Sequence, residues 1–258
     1  MESLKVLVIP DTQCKPGVPL DHLDWAGQYI VDKRPDIVVH LGDHWDFPSL
    51  SRYDEGKRVM EGRRIDEDIE AGNEGMRRLT APLQELQAQQ RRNKQKLYQP
   101  RLILLRGNHE DRLARHIEAN SILPEDFGWR DLLDTELGWE VYPFLEVVKI
   151  GGTAFSHYFY NPMSGNPWGG MASTMLKNIG FSFVMGHRQG KEMYERHLSD
   201  GTVQRALIVG SFYQHDEAYK GPQANHHWRG VVMLHEAHDG DYDLMEVSLG
   251  YLQRRYAK

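Results

Sequence analysis

The sequence predicts an α/β protein whose parallel strands carry polar side chains at their carboxyl ends. Residues 102–105 are four consecutive aliphatic residues, a run typical of a strand that is covered on both faces. Residues 4–41 have the pattern strand, helix, strand, which indicates a right-handed parallel βαβ unit. Open α/β sheets bind ligands beyond the carboxyl ends of their strands, so we expect the functional site there.

The βαβ unit at the start of the chain already places acidic residues at one sheet edge. Strands are expected over residues 4–9 and 36–41, with a helix over 22–33 that Asp21 caps. The polar residues that follow the two strands are Asp11 and Gln13 after the first, and Asp43 and Asp46 after the second. Carboxylates that converge from separate strands indicate a metal site.

Residues 51–100 are expected to form a charged helical insertion within a single domain over 1–258. Gly72, Gly75 and Pro82 favour two helices or one broken helix over this segment. Residues 91–101 contain five Lys or Arg and no acid, which could contact phosphates but is more typical of a solvated helix face.

The remaining elements bring further polar residues to strand ends. Helices are expected over residues 111–120, 127–137 and 171–178, and a loop over 161–170. Residues 145–150 and 153–156 form a hairpin around Gly151-Gly152 that delivers His157, and a strand over 181–185 runs into Gly186-His187-Arg188-Gln189. Antiparallel strands are expected over residues 193–198, 203–209, 230–234 and 242–247.

Composition limits the possible partners. The formal net charge is −6, so the chain lacks the overall positive charge of a nucleic-acid-binding protein, and any such contact would be local. Cys14 is the only cysteine, which excludes an intramolecular disulfide and a thiolate cluster and indicates core packing. The first apolar run contains charges and resembles neither a signal peptide nor a membrane span, so we expect a cytoplasmic protein without membrane contact.

Nine polar groups are expected to share the functional edge. Each one alone has an ordinary explanation, because a lone histidine is usually just hydrogen-bonded and an Asp after a strand usually caps a turn. Together they indicate one shared functional site. They are Asp11, Gln13, Asp43, Asp46, Asn108, His109, His157, His187 and Gln189.

The ordered set resembles the calcineurin-like metallophosphoesterase superfamily. That family's pattern is Asp-x-His, Gly-Asp-x-x-Asp, Gly-Asn-His-Asp/Glu, a lone His, and Gly-His-x-His. The chain matches it at Asp11, at Gly42-Asp43 with Asp46, at 107–110, at His157 and at Gly186-His187. Five motifs in order make the match specific, where one alone would be weak.

The resemblance implies a four-layer fold in which two mixed β-sheets pack as a sandwich flanked by helices, with two divalent metal ions at the strand ends. Asp43 would bridge the ions, and the pair would lower the pKa of a shared water to give the hydroxide that attacks phosphorus. The first ion would be held by Asp11, Gln13 and Gln189, and the second by Asn108, His157 and His187. His109, oriented by Asp46, would assist the leaving oxygen as the catalytic acid.

The departures from the family pattern all fall in the first metal site. Gln13 and Gln189 stand where the family has histidine. Amide oxygen is a hard donor, whereas imidazole suits zinc or iron, so the change favours Mn²⁺ or Mg²⁺. We expect an enzyme that prefers Mn²⁺, with Mg²⁺, Zn²⁺ or Fe as the other possible ions. The competing interpretation is an impaired first site in a one-metal enzyme or an inactive relative that binds phosphate or DNA.

The substrate is expected to be a phosphoester, most plausibly a diester in a nucleotide or nucleic acid. A phosphomonoesterase acting on a small ester is the alternative. Phe47 stands where the protein-phosphatase branch has arginine, which argues against that activity although Arg106 matches the branch. Trp45 and Trp168, both expected in loops, are the candidates for base stacking, whereas Tyr158 and Phe159 are expected in the core.

Overall fold

The computed structural model describes residues 3–217 and 220–257. Its strands, in chain order, are β1 (Leu4–Ile9), β2 (Ile37–His40), β3 (Arg101–Leu105), β4 (Glu140–Tyr142), β5 (Val148–Ile150), β6 (Thr153–Ser156), β7 (Tyr160–Asn161), β8 (Asn166–Pro167), β9 (Phe183–Met185), β10 (Glu192–His197), β11 (Val203–Ile208), β12 (Gly230–His238) and β13 (Asp241–Ser248). Its α-helices are α1 (Asp21–Lys33), α2 (Ile65–Arg92), α3 (Asp111–Glu118), α4 (Ala172–Ile179), α5 (Gly221–Ala224) and α6 (Leu249–Tyr256).

The strands form two large mixed sheets and a small ribbon. The first sheet has the order β13-β12-β1-β2-β3-β4, and its four strands from β1 to β4 are parallel. The second has the order β10-β11-β9-β6-β5, with β6, β9 and β11 parallel. The strands β7 and β8 pair as the ribbon.

Three apolar clusters show that the sheets are stacked with helices outside. Val8 and Leu105 of the first sheet share a buried cluster with Phe155 and Val184 of the second, which places the two sheets face to face. The other face of the first sheet is covered by α1, α2 and α6, and the other face of the second by α4. The predicted four-layer α/β/β/α architecture is confirmed.

The helical part of the insertion is one helix and not two. α2 runs without a break through Pro82, contrary to the prediction from its two glycines and proline. The glycines serve packing instead, because a Cβ at Gly72 would lie 1.9 Å from the Trp45 ring and one at Gly75 would lie 2.7 Å from Cys14 Sγ. The helix thus lies close over the loop that follows β2, and Cys14 is buried in this core as expected.

Other differences concern short elements. The helix predicted over residues 127–137 is only a 3₁₀ turn at Trp129–Asp131, and Asp21 lies inside α1 and makes no side-chain cap. The strand over 203–208 pairs antiparallel with β10 but parallel with β9. The sequence prediction missed β4, α5 and α6, and it missed the ribbon of β7 and β8, which lies partly in the predicted loop over residues 161–170. Among the described residues, no helix has both the length and the apolar character needed to cross a bilayer.

Candidate metal centre

The predicted site residues follow β1, β2, β3, β6 and β9, so the carboxyl ends of parallel strands from both sheets meet at one edge. Three of these residues have left-handed backbone conformations, with φ of +43° at Gln13, +51° at Asp43 and +63° at His187. This region is sparsely populated by residues other than glycine, and such strain concentrates at functional sites. The backbone is therefore bent to bring these side chains inward.

One group of ligand atoms is already assembled. Asp43, His157 and His187 each offer a ligand atom, and these atoms lie within 4.8 Å of one another. Asn108 joins them, since its Oδ1 lies 2.9 Å from His157 Nε2 and 2.7 Å from His187 Nδ1. The structure thus brings together the four residues predicted to surround the second ion.

His157 is oriented to offer its Nε2 to a cation. Its Nδ1 donates to the backbone oxygen of Leu41 at 2.7 Å, which directs Nε2 toward Asp43 and Asn108. Burial lowers the pKa of His157, but the Asp43 carboxylate more than compensates and the pKa rises to about 9. A cation bound there would displace that proton.

The first group is marked by two buried oxygens that have no hydrogen-bond partner among the described residues, Asp11 Oδ2 and Gln13 Oε1. The other oxygen of Asp11 accepts a hydrogen bond from the His187 backbone N–H at 3.0 Å. Burial, together with the Asp43 charge, raises the pKa of Asp11 to about 7. Buried polar atoms are normally satisfied, and a hard divalent cation would satisfy both oxygens, so the residues present fit a first ion.

Gln189 differs from Gln13 in its surroundings. Its Oε1 accepts a hydrogen bond from the Tyr213 hydroxyl at 2.6 Å. A carbonyl oxygen has a second lone pair, so this contact orients the Gln189 amide and is compatible with a cation ligand. Sequence reasoning did not find Tyr213, because nothing in the run that contains it distinguishes it from a core tyrosine.

His109 and Asp46 form a dyad beside the cluster. His109 Nδ1 lies 2.5 Å from Asp46 Oδ1, and its Nε2 lies 3.7 Å from Asp43 Oδ2. Burial works against protonation of His109, but the carboxylates of Asp43 and Asp46 outweigh it and raise the pKa. The two carboxylates thus favour the protonated form of His109.

Two cations flank this dyad, and one of them, Arg112, opposes the rise that the carboxylates produce in the pKa of His109. Lys15 Nζ lies 3.1 Å from Asp46 Oδ2 and 2.6 Å from Glu217 Oε1. Arg112 donates to the Asp46 backbone oxygen at 2.7 Å, and its Nη2 lies 3.0 Å from His109 Nε2. The sequence prediction missed Lys15, although its position two residues after Gln13 was a usable signal.

Glu110 holds two site loops together. Its Oε1 accepts from the backbone N–H of His44 and Trp45, at 2.6 and 3.0 Å. Its Oε2 accepts from Asp43 and Gly107, at 3.0 and 2.7 Å. One buried carboxylate therefore satisfies four backbone donors and positions the residue predicted to bridge the ions.

The aromatic candidates were partly wrong. Trp45 is fully buried, because its ring fills the space left by Gly72 on α2, so it cannot stack on a base. Trp168 is half-buried and packs against the cluster beneath α4. Tyr158 and Phe159 are buried in that same cluster, as predicted.

The fold and this set of carboxylate, amide and imidazole groups are those that the resemblance implies for a metal-dependent phosphoester hydrolase. The chain belongs to the calcineurin-like phosphoesterase family, whose sequence model matches residues 4–245. The resemblance drawn from the five motifs is thereby confirmed.

Individual relatives are distant. The gene 54 protein of Mycobacterium phage L5 is 27% identical over 213 residues, which cover 80% of this chain and 76% of that protein. The gene 54 protein of Mycobacterium phage D29 is 28% identical over 198 residues, or 73% and 71% of the two chains.

Solved structures were also compared. A predicted phosphoesterase from Streptococcus pneumoniae TIGR4 aligns over 95% of this chain and 99% of its own, with 13% identity and a TM-score of 0.33. Yfce, a phosphoesterase from E. coli, aligns over 95% and 100%, with 11% identity and a TM-score of 0.36.

Proposed function

We propose that the protein is a Mn²⁺-dependent phosphodiesterase that acts on nucleotides or nucleic acid. The observation that carries this proposal is the pair of unpartnered buried oxygens, Asp11 Oδ2 and Gln13 Oε1, next to the cluster around Asp43. Two adjacent ligand groups on one edge correspond to the two-ion arrangement used for phosphoester hydrolysis.

The two ion positions would have different donor sets. Asp11, Gln13 and Gln189 would hold one ion through oxygen atoms only, whereas Asn108, His157 and His187 would hold the other, with Asp43 shared. When bound, the ions would supply Lewis-acid activation of water and of the phosphoryl oxygens. The all-oxygen set favours Mn²⁺, which accepts carboxylate and carbonyl ligands, over Zn²⁺.

The chain's own residues supply the proton. His109, held by Asp46 at 2.5 Å, would give the proton on Nε2 to the departing oxygen. The Asp46 carboxylate keeps the other ring nitrogen protonated and stabilises the imidazolium. Glu110 keeps the Asp43 backbone in place while this happens.

The cations beside His109 favour a diester substrate over a monoester, because both cations are already paired with groups of the protein. A monoester carries a second negative charge that needs its own cation. The two cations at His109 are already engaged, Lys15 by Asp46 and Glu217, and Arg112 by backbone oxygens of Asp46 and Phe47. A singly charged diester needs no further positive group.

With added Mn²⁺, we expect the purified protein to hydrolyse bis(p-nitrophenyl) phosphate faster than p-nitrophenyl phosphate. The measurement is kcat/KM for both esters at saturating Mn²⁺, with EDTA-treated protein as the control. A preference for the monoester would support a phosphomonoesterase. No turnover of either would support a binding protein with an impaired first site.

A further inference from the structure

A large cleft opens beside the dyad. It measures about 960 Å³, and its walls include His109 and Asp46 together with residues of the segment 48–68 that leads into α2. A phosphate alone would occupy only a small part of this space, whereas ligands of nucleoside size bind in clefts of about 300–1,000 Å³.

We infer that this cleft is a leaving-group subsite for an uncharged nucleoside whose base stacks on Tyr53. The inference rests on the proposed function. In an in-line displacement, the attacking and leaving oxygens lie on opposite sides of phosphorus. Because His109 is the proton donor to the leaving oxygen, the leaving group must extend from His109 away from the metal ligands, into the cleft.

The reaction balances without a further reactant. The oxygen of water forms the new bond to phosphorus, and the bond between phosphorus and the nucleoside oxygen breaks. The departing oxygen takes the proton from His109, and the proton that water loses restores the imidazolium. The products are a phosphomonoester and a free nucleoside.

The charge of the cleft selects against a polyanionic leaving group. Among the described residues, its walls carry seven Asp or Glu side chains against five Lys or Arg. A nucleic-acid strand that continued into the cleft would bring further phosphates against this acidic excess. A terminal nucleoside, which carries no charge, meets no such repulsion.

Tyr53 supplies the stacking surface. Its side chain is 80% exposed, and Lys57 Nζ lies 4.0 Å from its ring centroid, which steadies the ring and leaves most of it open. The segment that carries it is fastened by Arg63, whose Nη1 binds the Pro48 backbone oxygen at 2.8 Å and Asp54 Oδ2 at 3.2 Å. The ring is therefore presented on a tied segment of the cleft wall.

The test compares three substrates with Mn²⁺: bis(p-nitrophenyl) phosphate, a dinucleoside monophosphate, and the same dinucleotide phosphorylated at both ends. In the last, the leaving nucleoside is charged whichever oxygen departs. We expect the wild type to cleave the dinucleoside monophosphate, whose leaving nucleoside is uncharged, several-fold faster than the doubly phosphorylated dinucleotide. The kcat/KM for the dinucleoside monophosphate is divided by the kcat/KM for the aryl diester. Tyr53→Ala should lower this ratio about tenfold, the usual effect of losing one base stack.

Tyr251→Ala is the matched control, because this tyrosine is 40% exposed on α6 and is not part of the cleft wall. It should leave the ratio unchanged. Hydrolysis of the aryl diester would keep the proposed function. The subsite would then be overturned by any of three results: Tyr53→Ala leaves the ratio unchanged, the dinucleoside monophosphate is not cleaved, or the doubly phosphorylated substrate is preferred. A wild-type protein that hydrolyses no diester overturns both.

Discussion

Replacement of His109 by alanine should lower kcat by about 10²–10⁴-fold, the usual contribution of a positioned general acid. The loss should be largest for substrates with an alcohol leaving group and smaller for p-nitrophenyl esters, because p-nitrophenolate departs without a proton. The bound metal should be unchanged. The hydrogen bond that His109 donates to Asp43 comes from its backbone N–H, 2.9 Å from Asp43 Oδ1, and alanine keeps it, whereas the 3.7 Å approach of the ring Nε2 to Asp43 Oδ2 is lost.

The matched control for this variant is His197→Ala, which removes an exposed imidazole from β10, away from the site. It should retain wild-type kcat and metal content. If His109→Ala lost metal in proportion to activity, the residue would be a ligand. If it kept kcat within about threefold, it would have no role in proton transfer.

Glu110→Ala should produce the largest loss of stability among the site variants. The substitution leaves four buried backbone N–H groups without their acceptor. One unsatisfied buried donor costs about 1–3 kcal/mol, and water can enter the space to satisfy some of them, so we expect a loss of about 3–5 kcal/mol. For a chain of this size that corresponds to a fall in Tm of about 10 °C or more.

Denaturant titration and thermal unfolding, followed by circular dichroism, measure this loss. Glu118→Ala is the control, since Glu118 is exposed on α3 and removal of an acidic group near a helix C-terminus costs nothing. Equal stability of the two variants would show that water replaces the carboxylate fully. Activity of Glu110→Ala below its unfolding temperature should also fall, because the Asp43 loop loses its support.

The fold was predictable wherever the hydrophobic residues recur with a clear period along the chain. The aliphatic runs of β1, β2 and β3 and the Gly151-Gly152 hairpin gave the strands and their polar ends. The two-sheet arrangement came from the family resemblance and not from the periodicity. The break predicted in α2 was wrong, because glycine within a helix serves close packing as readily as it ends a helix.

The site was predictable as a set of residue types but not as a set of contacts. Asp43, Asn108, His157 and His187 converge in the structure as their motifs indicated. The support of the dyad by Lys15 was hidden, because its partner Glu217 lies about two hundred residues away along the chain. The prediction that Trp45 could stack on a base was wrong for a related reason, since the burial of this loop tryptophan depends on a glycine in a distant helix.

The central claim is that the first metal site was rebuilt with amide ligands and not lost. The unpartnered buried oxygens of Asp11 and Gln13 carry this claim, because they are a carboxylate and an amide oxygen, the donors that a hard divalent cation takes, and Gln13 is bound to the backbone of Asp43. Gln13 is 1% exposed and its backbone is held in a left-handed conformation, with its N–H bound to the Asp43 backbone oxygen at 2.8 Å.

The measurement that tests this claim most directly is the number of Mn²⁺ ions that remain bound per chain after mild dialysis of Mn²⁺-loaded protein, by elemental analysis. We expect about two ions for the wild type and about one for Gln13→Ala, in keeping with a two-metal site. One ion or none in the wild type, without recovery of activity when Mn²⁺ is added back, would contradict it.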